Sequence, residues 1–421
     1  FRKKSPISWR TFCLGLSAIF LLFGIGFQHY YSYGNSKALK EDPSIFLITI
    51  ENWKMGSIAD MPALKKSLGD CSSFSPAVTP HTDTRVSAAS ILTGLHPLKN
   101  SVYRSDSRLS SRHTTLGTLL RKERYATAAF LSNRSLERSS GLSRGFELYD
   151  DDTSTHLRGI YNLHIMKLLG FSGPMIRSDE ATLAGARQWM DDIGDMPLFA
   201  WVQLSSLGRS ASEPMLSEKE RLAAYEKEQE QLDGLLASFL DDIQKRDPNS
   251  IIALTGTQGI SLGERGIHPP ARGLYRESLA VPLVFCSKKT EGKTYDGLVR
   301  TFDLFNTILA QVPLPIRKNT DSAELLFLQK SESFVGFNTI VMSPDLNTGI
   351  ENAYIGMYFV SKQSQQLYKY LWGARDRKYA LFNLTKDAEE AFNIAQEQPI
   401  LRQNIHKSIE KVHKKLEGGE P

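Results

Sequence analysis

Three short stretches of this chain are apolar at nearly every position: residues 44–50 (Ser-Ile-Phe-Leu-Ile-Thr-Ile), 197–204 (Pro-Leu-Phe-Ala-Trp-Val-Gln-Leu) and 250–255 (Ser-Ile-Ile-Ala-Leu-Thr). None shows the alternation of a strand with one wet face. Their length and branched side chains predict strands buried on both faces, as in the middle of a parallel sheet. Residues 113–120 and 125–133 read as a further helix and strand, and 181–190 as a helix. Between 217 and 244, Leu222, Leu232, Leu235, Leu236, Phe239, Leu240 and Ile243 recur mostly three or four apart among alternating acids and bases. That spacing predicts an amphipathic helix lying on the sheet, its charges forming the wet face. A basic helix over 400–416 closes the chain. Strands alternating with helices predict an α/β fold.

Polar residues directly after central strands are candidates for chemistry, because open α/β sheets place ligands at the carboxyl ends of their strands. Glu51 and Asn52 follow the first stretch, and Thr257 and Gln258 follow the third. Residues 79–97 join a polar loop holding Thr79, Thr82 and Thr84 to a run of small residues ending at Gly94 and Pro97. Gly94 and Pro97 predict the end of a helix that starts near Thr84. A hydroxyl at that start would suit an anionic ester, or Thr82 or Thr84 would simply cap the helix.

Residues 11–27 carry no charged side chain and are followed by a Tyr-rich border. With Arg2, Lys3, Lys4 and Arg10 before them, they predict a membrane-spanning helix over 11–29 behind a cytoplasmic basic tail, 1–10. A cleaved leader is the competing reading, disfavoured by the bulky Gln-His-Tyr-Tyr-Ser-Tyr that follows. A linker over 30–43 would then leave the rest of the chain on the extracytoplasmic (in a bacterium, periplasmic) face. The chain has 421 residues, 41% of them hydrophobic, and a net charge of +5. It can bury a sizeable core, and it lacks the basic aromatic patches that would mark nucleic-acid binding. Three cysteines make no disulfide framework, and Cys71 and Cys286 are expected to be free.

Several stretches resemble the sulfatase family of the alkaline phosphatase superfamily. Residues 84–94 stand where sulfatases carry Cys/Ser-x-Pro-Ser-Arg-Ala-Ala-Leu-Leu-Thr-Gly, with Thr84 at the nucleophile. Residues 142–150, 273–285, 296–309 and 377–395 follow the family's scaffold motifs in order. The resemblance implies a doubly wound, mostly parallel sheet over 44–315, a C-terminal antiparallel-sheet subdomain over 316–421 and an insertion near 151–178. It also implies metal-binding roles for the positions of Glu51, Asn52, Thr257 and Gln258.

At those positions the chain departs from the family. Thr257 and Gln258 replace an Asp and a His; no His follows the 197–204 strand; the second His after Pro97 is missing; Ala88 replaces the basic residue after the nucleophile. A hydroxyl and an amide are poor substitutes for a carboxylate and an imidazole on a divalent ion. The expectation is therefore a membrane-anchored domain that catalyses nothing, holds no cofactor and acts as a structural or binding subunit beside other membrane-complex subunits. An active reading stays open, a phospho- or sulfoester hydrolase or lipid head-group transferase. It would use zinc, manganese, calcium or magnesium, with Thr84 attacking and His81, Asp83 or His268 as replacement ligands or acid/base groups. A third reading is a metal-free pocket that binds an anion through Arg85, Lys99, Arg209 or Arg272.

Overall fold

The computed structural model describes residues 42–152, 176–269, 273–312, 314, 317, 319–328, 339–345, 349–361, 363–373 and 378–417. The expected membrane span, most of the 151–178 insertion and Arg272 lie outside them. Among the described residues no helix is long and apolar enough to cross a membrane.

The strands of the larger sheet are β1 (Ile45–Ile50), β2 (Ser72–Val78), β3 (Ala126–Leu131), β4 (Leu148–Asp150), β5 (Leu198–Leu204), β6 (Ile251–Gly256), β7 (Ala280–Val281), β8 (Leu283–Cys286) and β9 (Thr294–Arg300). Their order is β4-β3-β5-β1-β6-β8-β2-β7, with β9 also on β2. β1, β3, β4, β5 and β6 run parallel, while β8 is antiparallel to β6 and to β2. The three continuous apolar stretches thus lie side by side at the centre, as their patterns predict.

Alternate residues of β1 enter different cores. Ile45 and Leu47 pack with α2 (Thr84–Thr93), α3 (Leu116–Lys122) and α6 (Leu304–Leu309) on one face. Phe46, Ile48 and Ile50 pack with α1 (Pro62–Leu68), α4 (Asp179–Ile193) and α5 (Glu218–Arg246) on the other. Helices on both faces explain why no polar alternation survives in the central strands. α5 begins with a reciprocal cap in which Ser217 and Glu220 satisfy each other's backbone N–H groups.

A second sheet is antiparallel: β10 (Thr339–Asp345), β11 (Gly349–Val360), β12 (Leu367–Gly373) and β13 (Tyr379–Asn383), covered by α7 (Pro399–Glu417). β10 meets the loop before α2, where the Thr82 N–H donates to the Met342 carbonyl at 3.3 Å and the Met342 N–H to that of Pro80 at 3.0 Å.

The cysteines correct the sequence expectation. Cys71 and Cys286 form a disulfide across 215 residues. The antiparallel register that pairs Ser72 with Phe285 sets them opposite one another. A pairing that long-range depends on sheet order, which the local pattern does not contain.

Candidate active site

β1 and β6 are neighbours in register, Ile50 opposite Gly256, so Glu51 and Gln258 leave the same end of the sheet side by side. α2 starts there too. Its N-cap is Asp83, whose carboxylate accepts the N–H groups of Arg85 and Val86. This replaces the expected threonine cap and leaves Thr84 as the first helical residue. The helix ends at Gly94 in a left-handed turn (φ 66°), where a Cβ would come within 2.7 Å of the Phe305 ring.

Glu51, Thr84 and Gln258 form one buried cluster. Gln258 Nε2 donates to Glu51 Oε1 and to Thr84 Oγ1, each at 3.0 Å. The Thr84 hydroxyl lies 3.2 Å from Gln258 Oε1. The second oxygen of Glu51 accepts from Asn133 Nδ2 at 2.7 Å and from Ser205 Oγ at 2.9 Å. The orientation of the Gln258 amide follows from these partners, because its oxygen turned toward Glu51 would set acceptor against acceptor. Beyond the cluster, Asp179 accepts the N–H groups of Ser205 and Ser206 and the hydroxyl of Ser132. Burial raises the Asp179 pKa, opposed by those hydrogen bonds.

Of the candidates read from the sequence, the structure brings Glu51, Thr84 and Gln258 together. Sequence reasoning missed Asn133, Ser205 and Asp179, which tie the cluster down. The available signal was weak: Asn133 and Ser205 are also polar residues just past strand ends. Asn52 turns the chain at φ 59°, and its amide donates to the Leu207 carbonyl. Among the described residues the Thr257 hydroxyl has only a long 3.5 Å contact, to the Ile50 carbonyl.

The other candidates do not converge on Thr84. Arg85 donates to the carbonyls of Ser135 and Ser107. Lys99 is paired with Asp321. Arg209 and His268 are exposed. His81 is fully buried and its Nδ1 accepts the Asp83 N–H.

A divalent ion asks for converging lone pairs from carboxylates or imidazoles. Here both oxygens of the one carboxylate accept hydrogen bonds, and the Gln258 amide turns its hydrogens toward Glu51 and Thr84. Among the described residues no group of three His, Cys, Asp or Glu side chains could hold a metal. The donor set does not fit the ion. The Thr84 hydroxyl has an amide as its side-chain partner, and an amide cannot take its proton.

The sulfatase family model matches residues 43–314. The chain belongs to the sulfatase family. Solved structures share the fold at low identity. A phosphonate monoester hydrolase from Silicibacter pomeroyi superimposes with a TM-score of 0.68 at 15% identity, covering 89% of this chain and 96% of that one. One from Agrobacterium radiobacter gives 0.65 at 15% identity, with the same coverages of 89% and 96%. A 2-O GAG sulfatase gives 0.67 at 14%, covering 89% and 92%. No curated protein matches the sequence. Within the sulfatase fold, then, the larger sheet is mostly parallel, and the cluster around Gln258 lies at its carboxyl edge.

Proposed function

We propose that this sulfatase-family chain is catalytically silent and serves as a structural or binding subunit, held at the extracytoplasmic face of a membrane by residues 11–29. The observation that carries the silent reading is the Gln258 amide bonded to both Glu51 and Thr84 at 3.0 Å. It offers hydrogens between the carboxylate and the hydroxyl, where activation of Thr84 would require a cation or a base. The Cys71–Cys286 disulfide supports an oxidising compartment.

The test is elemental analysis of the detergent-purified chain after incubation with zinc, manganese, calcium and magnesium, alongside assays on phosphonate, phosphate and sulfate esters. Wild type is expected to retain no stoichiometric ion and to turn over none of the esters. Thr257→Asp combined with Gln258→His serves as the comparison expected to gain ion binding. A stoichiometric ion in wild type that disappears in Glu51→Ala, with turnover that disappears in Thr84→Ala, would overturn the proposal.

A further inference from the structure

α7 presents two faces. Leu401, Ile405 and Ile409 pack against the antiparallel sheet, with Ile355, Tyr370 and Leu381 among their neighbours. Away from that face, Ile400, Asn404, Lys407, Lys411 and Lys414 recur at spacings of four, three, four and three, so they form a stripe along the helix. The stripe is about 21 Å long at 1.5 Å per residue. Lys407, Lys411 and Lys414 are exposed, and none enters an ion pair or hydrogen bond among the described residues. No acid lies on the stripe; Glu410 sits beside it, half-buried and 3.8 Å from His406.

The amino end of the stripe is apolar. Ile400 is 76% and Phe392 72% exposed, the largest such values for Ile or Phe among the described residues. They belong to one corner. Tyr379 is held there by Arg402, whose guanidinium lies 4.6 Å from its ring centre, and its carbonyl accepts from Asn393 next to Phe392. A row of unpaired lysines ending in two exposed apolar side chains combines the two attractions of an interfacial helix.

We propose that this face of α7, with Phe392, docks on an anionic lipid surface. The charge of the stripe is complementary to lipid phosphates. The expected 14-residue linker (30–43) reaches at most about 50 Å when extended, so the expected anchor would hold this domain beside a bilayer. That second argument rests on the membrane-anchored reading proposed above; the charge and exposure of α7 do not. Each lysine near an anionic surface adds roughly a five-fold preference, so the three give about a hundred-fold preference over a neutral surface, lost as salt screens the charges.

The experiment places an environment-sensitive NBD label at Ile400→Cys in the full chain, with Cys13→Ser and the disulfide intact. The chain is reconstituted into discs of phosphatidylcholine, with or without phosphatidylglycerol. The expected result is a blue-shifted, brighter label in the phosphatidylglycerol discs alone. The change should reverse in high salt and be absent in Lys407→Glu/Lys411→Glu/Lys414→Glu. The same spectrum in both discs overturns the proposal, as does a label shift that follows a co-purified acidic protein rather than the lipid. If the chain does not enter discs at all, the anchor reading fails. Sedimentation with added phosphatidylglycerol vesicles then decides the docking face by itself: salt-sensitive binding supports it, and none overturns it.

Discussion

Gln258 satisfies two groups at once, and the consequence is measurable as stability. Gln258→Leu keeps the shape but strips Glu51 of a donor and Thr84 of its partner. Urea unfolding should show a loss of about 2 kcal/mol, the usual cost of leaving buried polar groups unmade. Thr84→Val should cost less, about 1 kcal/mol, since Glu51 keeps its partners. Gln258→Glu should destabilise more at neutral pH than at acidic pH, because two adjacent carboxylates cannot both stay charged in a buried site. If Gln258→Leu unfolds like wild type, the cluster contributes nothing.

A second residue-scale effect concerns His96. Its Nε2 bonds the Ile340 carbonyl at 2.8 Å and its Nδ1 accepts the Leu98 N–H at 3.3 Å, a pattern only the neutral ring can make. Burial, the largest cause, lowers its pKa from 6.5 to about 4. Between those values the unfolded chain binds more protons than the folded one. The contribution of His96 is therefore whole above about pH 6.5 and is lost as pH falls toward 4. The melting temperature should drop over that window in wild type. The drop should be smaller in His96→Asn, whose side chain can still cap Leu98.

At the scale of elements, the chain was readable wherever pattern and burial agree. β1, β5 and β6 lie where their continuous apolar runs put them, α4 and α7 lie over the stretches read as helices, and α5 packs its predicted apolar stripe on the sheet except at its start, where Leu222 is exposed. The positions of Glu51, Thr84 and Gln258 followed from strand ends and the resemblance. What stayed hidden depends on register between elements far apart in sequence. Asn133 and Ser205 meet Glu51 because β3, β5 and β1 are adjacent, and Cys71 meets Cys286 because β2 and β8 pair in one particular register. The disulfide is itself a prediction about elements. Under denaturing, non-reducing conditions the chain should titrate one thiol, Cys13, and reduction should release two more. Replacing Cys71 and Cys286 by Ser should cost several kcal/mol, up to about 5 by the loop-closure argument for so long a separation.

At the scale of the whole molecule, the two sheets are joined by a buried charge network. Lys369 on β12 and Glu390 are both buried and bond at 2.6 Å. Burial lowers the Lys369 pKa, opposed chiefly by Glu390. Glu390 also accepts the Arg276 N–H, and Arg265, from the loop beyond Gln258, donates to the carbonyls of Glu389 and Glu390. Removing one partner strands the other, so Glu390→Ala should cost about 3–5 kcal/mol. Lys369→Met/Glu390→Leu should cost less than Glu390→Ala, because no buried charge is then left alone. A smaller loss for the single variant than for the double would show that packing, not charge, joins the sheets here.

The cluster at Glu51 also acts as a gauge of assembly. Glu51 and its donors Asn133, Ser205 and Gln258 come from the ends of β1, β3, β5 and β6, spread from residue 51 to residue 258. Sliding β5 or β6 by one position along β1 would carry Ser205 or Gln258 away by about 3.3 Å, one strand residue. That is as long as the hydrogen bonds themselves, so a shifted strand would deprive the buried carboxylate of one of its donors. Glu51 meets Asn133, Ser205 and Gln258 together only when β1, β3, β5 and β6 are aligned as they are here.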